Sequence, residues 1–78
     1  SVINRKNQLL RALQSLPVDQ QMAIELKHGE GLTDPEAAAA LEVSMATYKR
    51  YVSAGIATLR DHFGVTDLEQ VGQAYRAG

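Results

Sequence analysis

The chain has 78 residues, of which 45% are hydrophobic and 22% charged, and this length and composition predict one small folded domain. It contains no cysteine, which excludes a disulfide framework and a thiolate metal site, and its net charge of -1 does not by itself indicate a nucleic-acid-binding protein. No apolar run is long enough to cross a membrane and no signal peptide is recognisable, so we expect no membrane association and a cytoplasmic location.

The first half of the chain predicts two helices. Leucines at positions 9, 10, 13 and 16 form a stripe with helical spacing, which predicts a first helix over residues 5–15. Pro17 ends that helix and suits the first turn of the next, because the N–H that proline lacks is not needed there. The second helix is predicted to stop at Gly29 and Gly31. Its apolar residues are Val18, Met22, Ile24 and Leu26.

Two capping signals open the third and fourth helices. Residues 33–36 read Thr-Asp-Pro-Glu, a capping box that predicts a helix from Thr33 to Leu41. Ser44 is a suitable cap for a fourth helix, which we expect to end at Gly64. The apolar stripe of this fourth helix predicts its buried face. Its members are Met45, Tyr48, Val52, Ile56, Leu59 and Phe63.

A short fifth helix is predicted after Gly64. Residues 66–69 read Thr-Asp-Leu-Glu, a second capping box, and Leu68, Val71 and Tyr75 follow on one side. This apolar side is interpreted in two ways. It covers the base of the fourth helix, or it forms a dimer seam through residues 67–76. We expect cover, because so small a chain has little apolar surface to leave exposed.

The third and fourth helices, joined by a corner at residues 42–44, predict a helix-turn-helix with its core at 33–61. Ala38 stands where the two helices cross, and a small residue allows that close approach. In such a motif the second helix enters the DNA major groove with its N-terminal residues at the base edges. We therefore expect an all-α bundle of four to five helices and a single domain over 1–78. Since the chain begins with Ser1, we expect it to be a piece of a longer protein.

Charge is distributed unevenly along the chain. Residues 18–43 contain six acids and one base, Lys27, whereas residues 44–60 contain three bases and no acid. The first helix adds three bases, also without an acid. This local asymmetry matters more than the sum, because attraction to phosphate is screened over roughly 10 Å.

The same region matches a known pattern in register from Leu16 to Phe63. The matching residues are Leu16-Pro17, Gly31-Leu32-Thr33, Glu36-Ala37-Ala38, Leu41-Glu42-Val43-Ser44, Thr47-Tyr48-Lys49 and Leu59-Arg60. In these residues the chain resembles region 4 of bacterial RNA polymerase sigma factors, especially the extracytoplasmic-function group. The resemblance implies binding to double-stranded promoter DNA upstream of the start site, and docking on RNA polymerase.

The chain departs from this family pattern at several positions. Glu42 stands where the family usually has Gly. Tyr48 stands where it usually has Val or Ile, and Ala37 where it usually has Ile, so one change adds volume and the other removes it. Arginines common in the family are replaced by Gln21, Tyr51 and Ala54, which reduces the number of phosphate contacts. Residues 62–67 and the helix after them resemble the end of a LuxR-type output domain.

We expect the exposed front of the fourth helix to contact DNA. The predicted contact residues are Ser44, Ala46, Thr47, Lys49, Arg50, Ser53 and Arg60. The alternative is a helix-turn-helix scaffold that binds a regulatory protein or polymerase and has lost DNA affinity. We expect no catalytic residue, cofactor or metal, because His28 and His62 are far apart and each lacks a second ligand at helical spacing. A histidine near a helix end is instead expected to interact with the last carbonyls.

Overall fold

The computed structural model describes the backbone of residues 2–65 and the side chains of residues 7–65. This part of the chain is entirely helical and confirms the all-α fold. Its helices are α1 (Val2–Ser15), α2 (Val18–Ile24), a π-helical turn (Glu25–Gly29), α3 (Asp34–Leu41) and α4 (Met45–Phe63). The predicted fifth helix and the dimer seam through residues 67–76 lie outside the described residues. None of the described helices combines the length and the apolar character needed to span a membrane.

Helix α1 begins at Val2, three residues before the predicted start, because the leucine stripe begins only at Leu9 and carries no signal for the first residue of the helix. Helix α2 follows Pro17 directly, and the amide of Gln21 donates to the carbonyl of Pro17 at 2.9 Å. The π-helical turn was not predicted. In it the amide of Glu30 donates to the carbonyl of Glu25 at 2.9 Å, five residues back, and this wider turn ends α2.

Helices α3 and α4 form the predicted helix-turn-helix. The Thr33 capping box is present in both directions, with the Thr33 amide 2.9 Å from the Glu36 carboxylate and the Glu36 amide 3.3 Å from the Thr33 hydroxyl. The corner is made by Glu42, whose φ of 58° is left-handed. At the far end, α4 stops at Gly64 as predicted, and the amide of Val65 donates to the carbonyl of Leu59 at 3.0 Å.

The hydrophobic core consists of two clusters joined by α2 and α4. The first lies between α1, α2 and the C-terminal half of α4, and its buried members are Ala12, Leu13, Leu16, Ile24, Leu59 and Val65. The second lies under the helix-turn-helix, and its buried members are Ala23, Ala37, Ala38, Tyr48 and Val52. Ala38 is therefore buried beneath the crossing, as expected. The second cluster packs against one side of the N-terminal half of α4, and no described residue covers the opposite side.

The prediction that Met45 and Phe63 belong to the buried face of α4 is wrong. Met45 is 38% exposed and Phe63 is 47% exposed, whereas Tyr48, Val52 and Leu59 are buried. Both exposed residues occupy end positions of the helix. At about 100° per residue they also lie toward one edge of the apolar stripe, where the other described helices do not cover them.

Candidate nucleic-acid interface

The predicted contact residues lie on the side of α4 that faces away from both core clusters. Lys49, Arg50 and Ser53 are exposed there, whereas Tyr48 and Val52 are buried. Ala46 and the cap Ser44 are also exposed, and Thr47 is half-buried. The structure therefore brings six of the seven predicted residues together at the N-terminal half of α4.

Arg60 is the seventh predicted residue, and it lies apart from the other six. It is exposed and shares the outward face of α4, because seven residues after Ser53 complete nearly two turns. The rise between the two positions is roughly 10 Å along the helix axis. Arg60 is thus separated from Lys49 and Arg50 along the same face of α4.

A chain of hydrogen bonds connects three side chains at the start of α4. The Ser44 hydroxyl accepts from the Thr47 amide at 3.1 Å, which is the helix cap that the sequence predicts. The Ser44 hydroxyl also donates to the Thr47 hydroxyl at 3.0 Å. Finally, Arg50 donates from Nη2 to the Thr47 hydroxyl at 3.3 Å. The second and third bonds were not predicted. The i, i+3, i+6 spacing of Ser44, Thr47 and Arg50 places these side chains on successive turns but does not determine which bonds they form.

An open depression of about 540 Å³ runs along this face. It is lined by Lys49, Arg50, Ser53 and Ala54, of which only Ala54 was not among the predicted contact residues. Its two cations and its small neutral side chains allow a phosphate backbone or a base edge to approach α4 without steric obstruction. A longer side chain at Ala54 would fill part of this depression.

Two acids of the preceding helices are engaged in local interactions. Lys27 Nζ lies 3.1 Å from Asp34 Oδ1, and this ion pair joins the π-helical turn to the start of α3. The hydrogen bond from Lys27 lowers the pKa of Asp34, with smaller contributions from other groups that include Lys49. Hydrogen bonds from Thr33 lower the pKa of Glu36 in the capping box. Both carboxylates are therefore ionised at neutral pH.

Tyr48 is a core residue, as the apolar stripe of α4 predicted. Its side chain is fully buried in the second cluster. Burial, followed by the negative charge of Asp34, raises the pKa of Tyr48 to about 12. Its hydroxyl lies near the Asp34 carboxylate, but no described residue is within ordinary hydrogen-bond distance and angle of it. Tyr51, next to it on α4, is half-buried and packs against the same cluster.

The described residues contain no group of three or more His, Cys, Asp or Glu side chains that could hold a metal ion. His28 lies half-buried in the π-helical turn, and burial, followed by the positive charge of Lys27, lowers its pKa. Its Nε2 atom is buried without a hydrogen-bond partner in the described part of the chain. This atom therefore does not make the predicted bond to a carbonyl at the helix end.

A protein-family model described as Sigma-70, region 4, matches residues 6–59 of the chain. The chain belongs to the sigma-70 region 4 family. This match covers α1 through most of α4, including both helices of the helix-turn-helix. Comparisons with curated proteins and with solved structures gave no significant match. The sigma-70 region 4 match ends before Arg60 and the tail, so the resemblance of the tail to a LuxR-type output domain stays a prediction.

Membership in the sigma-70 region 4 family associates the chain with transcription initiation, DNA and RNA polymerase. The family is a class of transcription-factor domains and is not typically enzymatic. Within the chain, this family assignment and the helix-turn-helix geometry agree on the same segment. The exposed face of α4 that carries Lys49 and Arg50 lies within the matched segment.

Proposed function

We propose that this domain binds promoter DNA during transcription initiation by inserting α4 into the major groove. The observation that carries the proposal is the position of Lys49, Arg50 and Ser53. They lie exposed on one side of a capped helix whose other side is held by Tyr48 and Val52. A helix supported in this way keeps its register while its polar side contacts base edges and phosphates.

The contact residues divide by chemistry. Lys49 is a flexible point charge suited to phosphate, whereas Arg50 is a planar donor suited to a base edge or to phosphate. Ser44, Thr47 and Ser53 offer hydroxyl groups, and Ala46 and Ala54 leave room for the groove wall. Arg60 reaches the backbone further along. The negative net charge does not oppose this arrangement, because no acid lies within residues 44–60.

The finer assignment follows the sequence resemblance. The pattern from Leu16 to Phe63 supports membership of the extracytoplasmic-function group, in which residues 1–78 form a single domain that acts in the cytoplasm. RNA polymerase is the expected protein partner. On α2, Val18 is 67% exposed and Met22 is 45% exposed, one turn apart, and this apolar surface supports contact with a protein in addition to DNA.

The proposal is tested by fluorescence anisotropy with random duplex DNA at low salt, followed by a salt series. The 78-residue chain should bind, and its affinity should fall steeply as salt rises. Lys49→Ala should weaken binding and reduce the slope of log affinity against log salt by about one, because one phosphate contact is lost.

Arg11→Ala is the matched control. It removes one positive charge from an exposed position on α1, a helix that packs against the C-terminal half of α4 through the first cluster. The control should change the salt slope less than Lys49→Ala. If the chain binds no duplex at low salt but captures RNA polymerase or a regulatory protein, the domain is the protein-interaction module and the DNA proposal is wrong.

A further inference from the structure

The side chains of Ser44, Thr47 and Arg50 form a connected group at the N-terminal end of α4. We propose that Thr47 positions Arg50 as the base-reading side chain of this helix, and that the base edge it reads presents hydrogen-bond acceptors. This inference rests on the proposed function, since it concerns how the DNA-facing side of α4 selects a sequence. It assigns different roles to two adjacent cations that the sequence alone treats as equivalent.

The hydrogen bonds at Thr47 determine what its hydroxyl can offer a ligand. A threonine hydroxyl has one proton to donate and two lone pairs that accept. Ser44 donates to the Thr47 oxygen at 3.0 Å, and Arg50 donates to the same oxygen at 3.3 Å. Arg50 can only donate, so its contact uses one lone pair of Thr47. With the Ser44 hydroxyl oriented as the donor, the second lone pair is also used inside the group, and the proton of Thr47 remains for a partner.

The same reasoning applies to Arg50 and Lys49. An arginine and a lysine have donors and no acceptor. Together with Thr47 they make a surface that donates hydrogen bonds, so this surface favours base edges rich in hydrogen-bond acceptors. In the major groove, guanine presents the acceptors N7 and O6, whereas the amino groups of adenine and cytosine require an acceptor from the protein. Guanine is thus the base that this hydrogen-bond-donating surface fits.

The contact between Thr47 and Arg50 also separates Arg50 from Lys49. Arg50 uses Nη2 in the contact, and its other N–H groups stay available for a two-point contact with a base. Because the side chain is already restrained, less conformational entropy is lost when it binds. Lys49 is exposed, and no hydrogen bond from it is seen among the described residues. Arg50 is therefore the selective cation, and Lys49 supplies attraction to phosphate.

The test begins by selecting the duplex that the wild-type chain enriches from a randomised pool. Affinity is then measured for that duplex, for a scrambled duplex, and for the selected duplex with its guanines replaced by 7-deazaguanine, which lacks the N7 acceptor. The variants are Thr47→Val, which keeps the shape but removes the hydroxyl, and its matched control Thr47→Ser, which keeps the hydroxyl. Lys49→Ala is measured alongside, and thermal unfolding checks that each variant is folded.

Wild type should prefer the selected over the scrambled duplex, and 7-deazaguanine should remove about tenfold of that preference. Thr47→Val should lose a similar factor with an unchanged salt slope, and Thr47→Ser should retain the preference. Lys49→Ala should lower the salt slope and leave the preference nearly intact.

Three results would overturn the inference while leaving DNA binding in place. In the first, the enriched duplex requires no guanine. In the second, Thr47→Val keeps the full preference for the selected over the scrambled duplex. In the third, Thr47→Val and Lys49→Ala lose this preference equally. If the wild-type chain binds no duplex at all, the proposed function itself fails, and this inference fails with it.

Discussion

Gly55 on α4 faces Ile24 on α2 with no room for a methyl group between them. A Cβ atom built on Gly55 would lie 2.5 Å from Ile24 Cδ1 and 3.4 Å from the Cβ of Gln20. Gly55 and Ile24 are both buried. The absence of a side chain at Gly55 therefore sets how closely α2 approaches α4, and this approach supports the outward presentation of the polar face of α4.

Gly55→Ala should destabilise the domain despite improving helix propensity. The propensity gain is about 1 kcal/mol, whereas overpacking a buried contact costs about 1–3 kcal/mol. Because Ile24 is fully buried and can move only against its neighbours, we expect a net loss of about 1 kcal/mol in the free energy of unfolding. Urea denaturation followed by circular dichroism measures this change.

Ile24→Val provides the control for that prediction, since it removes the Cδ1 atom that the new methyl group would meet. In the wild-type background it should cost about 0.5–1.5 kcal/mol. In the Gly55→Ala background it should cost less, or should stabilise, because it relieves the clash. Strictly additive changes in the two backgrounds would show that this contact does not limit the approach of α2 to α4.

Glu42 is the non-glycine residue with a left-handed backbone among those described, and we expect Glu42→Gly to stabilise the domain. Its φ of 58° places the Cβ atom against the following carbonyl, a conformation that costs an L-residue roughly 1 kcal/mol. Glycine removes that cost but has more freedom in the unfolded chain, which offsets about half of it, so the net gain should be about 0.5 kcal/mol. Thermal unfolding monitored at neutral pH measures it.

Glu42→Gln separates backbone strain from charge, because it removes the negative charge and keeps the Cβ atom. It should give little of the stability gained with glycine. The two variants should affect DNA affinity alike, because both remove an acid two residues before the Ser44 cap. If Glu42→Gln is as stable as Glu42→Gly, repulsion between the Glu42 carboxylate and other carboxylates destabilises the wild type, and the left-handed corner does not.

The features that follow from local chemistry could be predicted from the sequence. The Thr33 and Ser44 caps depend on residues within one turn, and the stop at Gly64 depends on its positive φ. The exposure of Met45 and Phe63 could not be predicted in this way. It depends on which helix covers each end of α4, a property of the assembled fold.

The π-helical turn and the Arg50 contact were missed for related reasons. The turn at Glu25–Gly29 has no sequence signal distinct from an ordinary helix end followed by glycines. The bond from Arg50 to Thr47 depends on one choice among several rotamers of a long side chain. The sequence predicts which face of α4 is polar, whereas the relations between side chains on that face require coordinates.

Tyr48 and Ala37 are fully buried in the same cluster, and we expect their volumes to be coupled. Tyr48→Val alone should cost about 2–4 kcal/mol, because it leaves a cavity under the helix-turn-helix. Ala37→Ile alone should cost about 1–3 kcal/mol through overpacking. The double variant restores the residues typical of the family at both positions, and it should cost clearly less than the sum. Chemical denaturation of all four proteins gives the coupling energy.

Tyr48→Phe is the control for that cycle, since it changes the volume little and removes only the buried hydroxyl. Because this hydroxyl has no hydrogen-bond partner among the described residues, its removal should be nearly neutral or slightly stabilising. A large loss in Tyr48→Phe would show that the hydroxyl contributes to the fold. Additivity of the two single changes would show that Ala37 does not fill space left by residue 48.

The pH dependence of stability should show a contribution from His28 as pH falls below its ordinary pKa of 6.5. Burial, followed by the charge of Lys27, lowers its pKa in the folded state below the ordinary value of 6.5, and Asp34 opposes this only in part. A base with a lowered folded pKa favours the folded state while it is neutral. Its stability is therefore present above pH 6.5 and is lost as pH falls through the folded pKa.

His28→Gln should flatten the decline in this window, and His62→Gln, at an exposed position near the end of α4, is the matched control. The carboxylates act in a different window. The pKa values of Asp34 and Glu36 are lowered in the folded state, so their ionised carboxylates stabilise the fold at pH values above the ordinary pKa values of 3.8 and 4.5. That stability is lost as pH falls through the folded pKa values. Urea denaturation at a series of pH values separates the two windows. An equal effect of both histidine variants would show that burial of His28 is not the cause of the decline.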